Sequence, residues 1–137
     1  MTAGYSGTPL PQKLGIKPQF RVRFYRLPNE VKVELEPALR DCTKAKTGLF
    51  DFAMLFATKR ADLQRQFREV AQQLAPAGML WISWPKKSSG MASDLDENVV
   101  RKIGLDAGLV DVKVCAVNDV WSGLKFVIRV KDRKESD

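Results

Sequence analysis

One polar loop carries the side chains best suited to hold a ligand. Two lysines and two serines follow an apolar run and precede a helix-like segment: Lys86, Lys87, Ser88 and Ser89. Ammonium groups and hydroxyls donate hydrogen bonds to the oxygens of phosphates and carboxylates. The loop therefore predicts an anion-binding site, although basic loops are more often simply solvated.

A second basic segment, formed by Thr58, Lys59 and Arg60, also lies between an apolar run and a helix. In open α/β sheets, ligands bind beyond the carboxyl ends of the strands, where helix N-termini favour anions. If the two segments follow neighbouring parallel strands, their cations and hydroxyls meet at one pocket. Trp84 and Trp121 are candidates to line it by stacking on a planar ligand, although core packing is the commoner role of such tryptophans.

The residue types of the chain exclude several chemistries. The sequence contains no histidine, so imidazole-based triads and histidine metal sites are excluded. Cys42 and Cys115 form no Cys-x-x-Cys motif and are expected to be reduced, buried thiols. The acids Asp94, Asp96 and Glu97 match a helix capping box, with an acid at the cap and Glu97 three residues later. We assign no catalytic residue and predict no metal and no cofactor.

The elements that position these loops alternate along the chain. Strand-like runs occupy residues 20–25, 50–57, 79–84, 110–117 and 124–130, with helix-like segments between the earlier ones. This alternation predicts an α/β fold: a single three-layer Rossmann-like domain with a mostly parallel sheet and an antiparallel C-terminal strand. We place an N-terminal arm and short helix at 1–19, the Rossmann-like domain at 20–130 and a charged flexible tail at 131–137.

Two stretches near the start of this domain bear on function. Residues 29–42 fit either a strand, by alternation, or a helix, by an apolar face at helical spacing; length favours the helix, and Pro37 opposes it. Residues 26–29, after the first strand, contain no glycine. Leu27 and Pro28 crowd the place where a nucleotide or S-adenosylmethionine site needs close backbone approach, which argues against a standard methyltransferase or dehydrogenase.

Charge and hydropathy bound the partners. The formal net charge is +7, which favours an anionic small molecule or an acidic protein partner. Nucleic acid is a further candidate, but the sequence carries no recognised nucleic-acid-binding motif. No apolar run approaches membrane-spanning length and the N-terminus has no signal pattern, so we expect a cytoplasmic protein without a membrane partner.

Four motifs together resemble a bacterial family of short cytoplasmic proteins whose domain has no assigned function. They are GYSGTPL at 4–10, WPKKSSG at 84–90, DVKVCAV at 111–117 and WSGLK at 121–125. The resemblance implies one domain and a bacterial source, and it supplies no catalytic residue. The second half of the chain also resembles a Rossmann-type methyltransferase fold in its order of elements.

Three hypotheses about function follow. The first is a non-catalytic binding or interaction module on a degenerate methyltransferase-like fold. The second is a small enzyme or binding protein for a phosphorylated or carboxylated metabolite, which the lysine and serine loop would hold. The third is a weak nucleic-acid binder that acts through its basic surface.

Overall fold

The structure, a computed structural model, describes residues 7–133. Residues 1–6 of the predicted arm and 134–137 of the predicted tail lie outside the described residues. Between residues 7 and 133, no helix combines the length and the apolar character needed to cross a bilayer.

The described residues form one six-stranded sheet flanked by helices. Its strands are β1 (Arg21–Tyr25), β2 (Thr43–Lys44), β3 (Phe50–Phe56), β4 (Leu74–Pro85), β5 (Leu109–Ala116) and β6 (Trp121–Ile128). The helices are α1 (Leu10–Leu14), α2 (Asn29–Leu39), α3 (Arg60–Ala71) and α4 (Glu97–Asp106), and single 3₁₀ turns cover Lys87–Ser89 and Val130–Asp132.

The strand order is β2-β1-β3-β4-β6-β5. The first four strands pair in parallel, whereas β6 pairs antiparallel with both β4 and β5. This arrangement confirms the predicted α/β domain, with its mostly parallel sheet and antiparallel C-terminal strand. Because β1, β3 and β4 run the same way, their carboxyl ends meet at one edge of the molecule.

Residues 29–39 of the ambiguous stretch form a helix. Val31, Leu35 and Leu39 are buried at a spacing of four residues, whereas Val33, which a strand would have placed beside Val31, is 63% exposed. Pro37 is accommodated in the last turn of α2.

Three strands differ from the predicted runs. The strand β6 begins at Trp121, three residues before the predicted run, and ends at Ile128. The strand β2 is only two residues long and polar, so the sequence around it resembles a connector. The strand β4 begins at Leu74, five residues before the predicted run, because Pro76 and Gly78 resemble a turn in the sequence.

Two apolar cores cover the two faces of the sheet. On one face, α3 and α4 pack residues such as Phe67 and Val100 against Phe126. On the other face, α1 and α2 pack Leu14 and Leu35 with Phe52, Trp81 and Trp121. The sheet is therefore the middle of three layers, and loops at its carboxyl edge are free to form sites.

Candidate functional site: a basic cleft at the edge of the sheet

A cleft of about 610 Å³ lies between α2 and the edge strand β2. Its size falls in the range of roughly 300–1,000 Å³ that is typical of small-molecule pockets. We call it the basic cleft. Its charged lining residues are Arg23, Lys32, Glu36, Arg40, Lys44 and Lys46.

The two walls of the basic cleft follow from helix and strand periodicity. Lys32, Glu36 and Arg40 are spaced by four residues, so they form one stripe along α2. Lys44 and Lys46 are spaced by two, so they share one side of the β2 segment. The intervening Ala45 is buried in the opposite core, against α3. Helix and strand thus present their charges to the same space.

The floor of the basic cleft is apolar. Val22 and Phe24 of β1 line it, and Phe24 packs against Phe52 with 5.7 Å between ring centroids. Leu27, just past the end of β1, and Leu39 of α2 complete the apolar lining. A ligand with a ring would therefore find an apolar surface enclosed by charged walls.

The charges of the basic cleft are not neutralised within the protein. The two walls of the cleft have four basic side chains, those of Lys32, Arg40, Lys44 and Lys46, against the single carboxylate of Glu36. In the part of the chain that the structure describes, the ion pairs lie elsewhere, on α3, on α4 and between α4 and β5. The side chains of Lys32, Glu36, Arg40, Lys44 and Lys46 have no hydrogen-bond or ionic partner among residues 7–133.

Arg23 has a different environment, because its guanidinium ties the strands together. Its Nε donates to the carbonyl oxygen of Ala45 at 2.8 Å, and its Nη1 donates to Gln73 Oε1 at 3.1 Å. The group lies over the Phe50 ring, 4.8 Å from the centroid. Its Nη2 is buried without a hydrogen-bond partner among the described residues. Because side chains alternate along a strand, Arg23 projects toward Phe50 and the α3 side of the sheet, away from Val22 and Phe24 on the cleft floor. Its guanidinium is therefore not one of the charges on the walls of the basic cleft.

The residues of the predicted lysine and serine loop lie at the carboxyl end of β4, away from the basic cleft. Lys87 and Ser88 are exposed, and Lys86 and Ser89 are half-buried. Ser89 Oγ donates to the Lys86 carbonyl at 2.7 Å and accepts from the Met91 N–H at 3.2 Å. The Ser89 hydroxyl is thus used in holding the turn, and anion binding by this loop stays a prediction.

The predicted segment of Thr58, Lys59 and Arg60 does meet the loop that follows β4, but through other residues of that loop. The Thr58 carbonyl accepts from Ser93 Oγ at 2.7 Å. The Asp94 carboxylate accepts from the Arg60 N–H at 2.7 Å, at the start of α3. The position that an external anion would take on this helix is therefore filled by Asp94.

The assignment of the capping box needs correction at its first residue. Asp96 precedes α4, and its Oδ1 accepts from the Val99 N–H at 2.8 Å. Asp94 instead caps α3, which lies distant in sequence. The sequence pattern located the helix but placed its cap two residues early, at Asp94 instead of Asp96. It could not show that a neighbouring helix uses the first acid.

The two candidate tryptophans are both buried. Trp84 is 5% exposed in the core beneath α3 and α4. Trp121 is 8% exposed and packs edge-on against Phe56, with 5.2 Å between centroids. Trp121 also lines a second cleft of about 580 Å³, together with Pro28 and Val120. Stacking on a ligand by either tryptophan remains a prediction.

The cysteines are free thiols and half-buried. Burial raises the pKa of both thiols above the ordinary value. Within residues 7–133, no group of three acidic or cysteine side chains is placed to hold a metal ion.

The basic cleft was not predicted because its residues come from three separate segments. Lys44 and Lys46 occur in a stretch that resembles a solvated connector, and α2 was ambiguous. The available signal was the spacing of Lys32, Glu36 and Arg40, followed directly by two lysines at strand spacing. That signal required α2 to be assigned as a helix first.

Comparison with known proteins gives structural neighbours only. No protein-family model matches the chain, and no curated protein sequence matches it. Magnesium protoporphyrin IX methyltransferase from Synechocystis PCC 6803, solved with bound SAH, has a TM-score of 0.57 and 12% identity, covering 87% of this chain and 78% of that one. A methyltransferase from Pyrococcus furiosus has a TM-score of 0.53 and 12% identity, covering 85% and 78%.

LepI, solved with SAH and a substrate analogue, has a TM-score of 0.60 and 8% identity, and this chain spans 47% of its length. The same magnesium protoporphyrin IX methyltransferase was also solved with bound SAM. These complexes contradict the prediction of no cofactor, which relied on the missing glycines after the first strand: structures of this architecture are solved with SAM and SAH. At these identities the likeness concerns architecture, and the chain has a methyltransferase-like Rossmann fold.

Proposed function

We propose that the protein is a non-catalytic binding module whose ligand is an anionic small molecule held in the basic cleft. One observation carries the proposal. Four basic side chains on the two walls surround a cleft of about 610 Å³, and the only carboxylate in its described lining is that of Glu36. This site is separate from the lysine and serine loop, whose own anion binding stays a prediction.

Electrostatics supports this assignment. Like charges at close range repel, and a partly enclosed cleft screens them less than bulk water does. The four lysine and arginine side chains on the two walls have no ionic partner among residues 7–133. A bound phosphate or carboxylate would offset that repulsion and would accept several charge-assisted hydrogen bonds.

The composition of the cleft supports binding over catalysis. Its described lining consists of lysine, arginine, glutamate and apolar side chains, without a serine, threonine, cysteine or tyrosine. Hydroxyl and thiol nucleophiles are therefore not in reach of a ligand there. Lysine and arginine are well suited to hold phosphate and carboxylate groups.

S-adenosylmethionine is the second candidate ligand, because structures of this architecture are solved with SAM and SAH. The apolar floor at Phe24 and Leu27 fits the uncharged adenosine part of this cofactor. The positively charged sulfonium and ammonium groups would meet four cations and only one carboxylate on the walls of the cleft. The cleft therefore fits the nucleoside part and not the charged part, so SAH, which has no sulfonium, should bind more tightly than SAM.

A thermal-shift experiment tests the proposal on the full chain. Pyrophosphate, SAM and SAH are added to the wild type and to a double variant, Lys44→Ala with Lys46→Ala. A ligand at a hundred times its dissociation constant stabilises a fold by about 2.7 kcal/mol. We expect pyrophosphate to stabilise the wild type and to bind the double variant at least tenfold more weakly. Binding to the wild type should weaken as the salt concentration rises, because salt screens the charges.

The matched control is Arg129→Ala with Lys131→Ala, which removes the same charge from an exposed segment after β6. If this control weakens pyrophosphate binding as much as the cleft variant, the effect is one of net charge and the proposal fails. Lys86→Ala with Lys87→Ala tests the predicted loop in parallel. Loss of binding in that variant alone would move the site to the end of β4.

A further inference from the structure

We infer that the ligand of the basic cleft is a ribonucleoside phosphate, with its ribose hydroxyls bound by Glu36. This inference rests on the proposed function, since it specifies which anion the cleft holds. Glu36 is the residue of the described cleft lining whose charge opposes an anion. Glu36 occupies the middle of the α2 stripe, one turn from Lys32 on one side and one turn from Arg40 on the other.

Glu36 is free to bind a ligand. Acid and base at a spacing of four residues on a helix commonly pair, as Arg101 and Glu97 do on α4 at 2.6 Å. The Glu36 carboxylate makes no such pair with either neighbour on α2, nor with Lys44 or Lys46 across the cleft, among the described residues. Its oxygens can only accept hydrogen bonds when ionised.

An anion without hydrogen-bond donors would pair with the cations of the cleft, but its negative charge would repel the carboxylate of Glu36. A ligand that carries hydroxyl donors beside its phosphate satisfies both signs at once. Vicinal hydroxyls on a sugar present two donors side by side, which matches the two oxygens of a carboxylate. The cleft chemistry therefore selects a hydroxylated phosphate over a simple carboxylated or phosphorylated acid.

The floor of the cleft adds a third requirement. Val22 pairs with Lys44 in the parallel register of β1 and β2. Phe24 and Lys46, each two residues further along its segment, both line the cleft. Aromatic side chains provide stacking surfaces for planar bases, and Phe24 and Leu27 form such an apolar surface next to the cations. A ribonucleoside phosphate would place its base on the apolar floor, its ribose hydroxyls at Glu36 and its phosphate at the lysines. Each chemical type in the cleft lining would then have a partner on the ligand.

Titration calorimetry on the full chain tests this assignment. The ligands are the four ribonucleoside 5′-monophosphates, their 2′,3′-dideoxy counterparts and pyrophosphate. The wild type should bind at least one ribonucleotide about tenfold or more tightly than its dideoxy form, since hydrogen bonds to a charged group are worth about 1.5–3 kcal/mol. Glu36→Ala should lose that preference, yet bind pyrophosphate more tightly than the wild type.

Two further variants keep the result interpretable. Glu36→Gln keeps an acceptor oxygen and loses the charge, so it should retain part of the ribose preference. Glu69→Ala, which removes an exposed glutamate from α3, should match the wild type with every ligand.

The failures of the two proposals are distinguishable. If the Lys44 and Lys46 double variant loses pyrophosphate but Glu36→Ala keeps the ribose preference, the anion site stands and this inference is overturned. Absence of binding by all four ribonucleotides, with pyrophosphate still bound, also overturns it. Absence of pyrophosphate binding in the wild type overturns the proposed function itself.

Discussion

The carboxylate of Asp94 accepts a hydrogen bond of 2.7 Å from the backbone N–H of Arg60, and it thereby joins the loop after β4 to the start of α3. No side chain at the cap position of α3 itself makes this bond, since Lys59 stands there. A helix N-terminus favours a negative charge. The chain therefore supplies its own anion at a position where ligands often bind in this class of fold.

Replacing Asp94 with alanine should lower the free energy of unfolding by about 1 kcal/mol, the usual cost of losing an N-cap acceptor. Asp94→Asn keeps an acceptor oxygen and should retain most of the stability. Urea denaturation of the three proteins measures the difference. An unchanged midpoint in the alanine variant would show that the loop does not stabilise α3.

A methyl group at position 104 should disrupt the packing of α4 against the sheet. A Cβ built on Gly104 would overlap the edge of the Phe126 ring, which is fully buried. The helix must therefore move away, and overpacking of this kind costs roughly 1–3 kcal/mol. Thermal unfolding of Gly104→Ala should show a lowered midpoint.

The paired control for Gly104→Ala is the double variant with Phe126→Leu. The smaller side chain leaves room for the new methyl group, so the two substitutions should be less than additive. Strict additivity would show that the helix avoids Phe126 by another route.

The sequence predicted the sheet well because the strands β3 and β4 are buried on both faces and read as apolar runs. It predicted the boundaries less well where tertiary contacts decide. The polar pair Thr43–Lys44 forms a strand only because β1 lies beside it. Asp94 precedes α4 in the sequence but caps α3, and no local sequence pattern shows this.

The candidate site was less predictable for the same physical reason. Each lysine of the basic cleft is an ordinary exposed residue in its own segment. The cleft arises when α2 packs on β1 and brings Glu36 and Arg40 opposite Lys44 and Lys46. The sequence showed that residues 26–29 contain no glycine. Only the structure showed that Leu27, in this segment, lines the basic cleft.

Ionisation of Cys115 should reduce stability at alkaline pH. Burial raises the pKa of this thiol, and the charges of Lys13, Lys113 and Lys125 oppose that rise without cancelling it. A folded-state pKa above the unfolded value means that the contribution to stability is present below the unfolded pKa, which is about 8.5, and is lost as pH rises through the folded value.

Urea denaturation near neutral pH and at about pH 10 tests this assignment on the wild type and Cys115→Ala. The wild type should lose more stability across that interval than the variant does. Cys42 is present in both proteins, so its own raised pKa does not affect the comparison. Equal losses would mean that Cys115 ionises as easily in the folded protein as in the unfolded chain.

Lys125 should respond to pH in the opposite sense. Burial lowers the pKa of its ammonium group, and Lys113 lowers it further. The folded-state pKa then lies below the unfolded value, so the stability contribution is present above the unfolded pKa and is lost as pH falls through the folded one. Near neutral pH the charge is therefore a cost, and Lys125→Met should unfold at a higher temperature than the wild type.

The advantage of Lys125→Met should shrink as the pH approaches about 10, near the ordinary pKa of lysine. Lys131→Met is the matched control, because Lys131 is an exposed lysine beyond the end of β6. A lower midpoint for Lys125→Met would instead show that the contact of Lys125 with the Trp81 ring, 6.0 Å from the centroid, outweighs the burial cost.

The indole of Trp81 should anchor α1 to the sheet. Its Nε1 donates to the carbonyl oxygen of Leu14 at 2.9 Å, and both residues are fully buried. Trp81→Phe leaves that carbonyl unpaired in an apolar layer, which costs about 1–3 kcal/mol, and adds a cavity penalty where the larger ring was. Because the lost bond is local to α1, hydrogen exchange should rise in residues 10–16 before it rises in β3 or β4. Uniform acceleration across the sheet would show that Trp81 stabilises the whole core and has no specific role in holding α1.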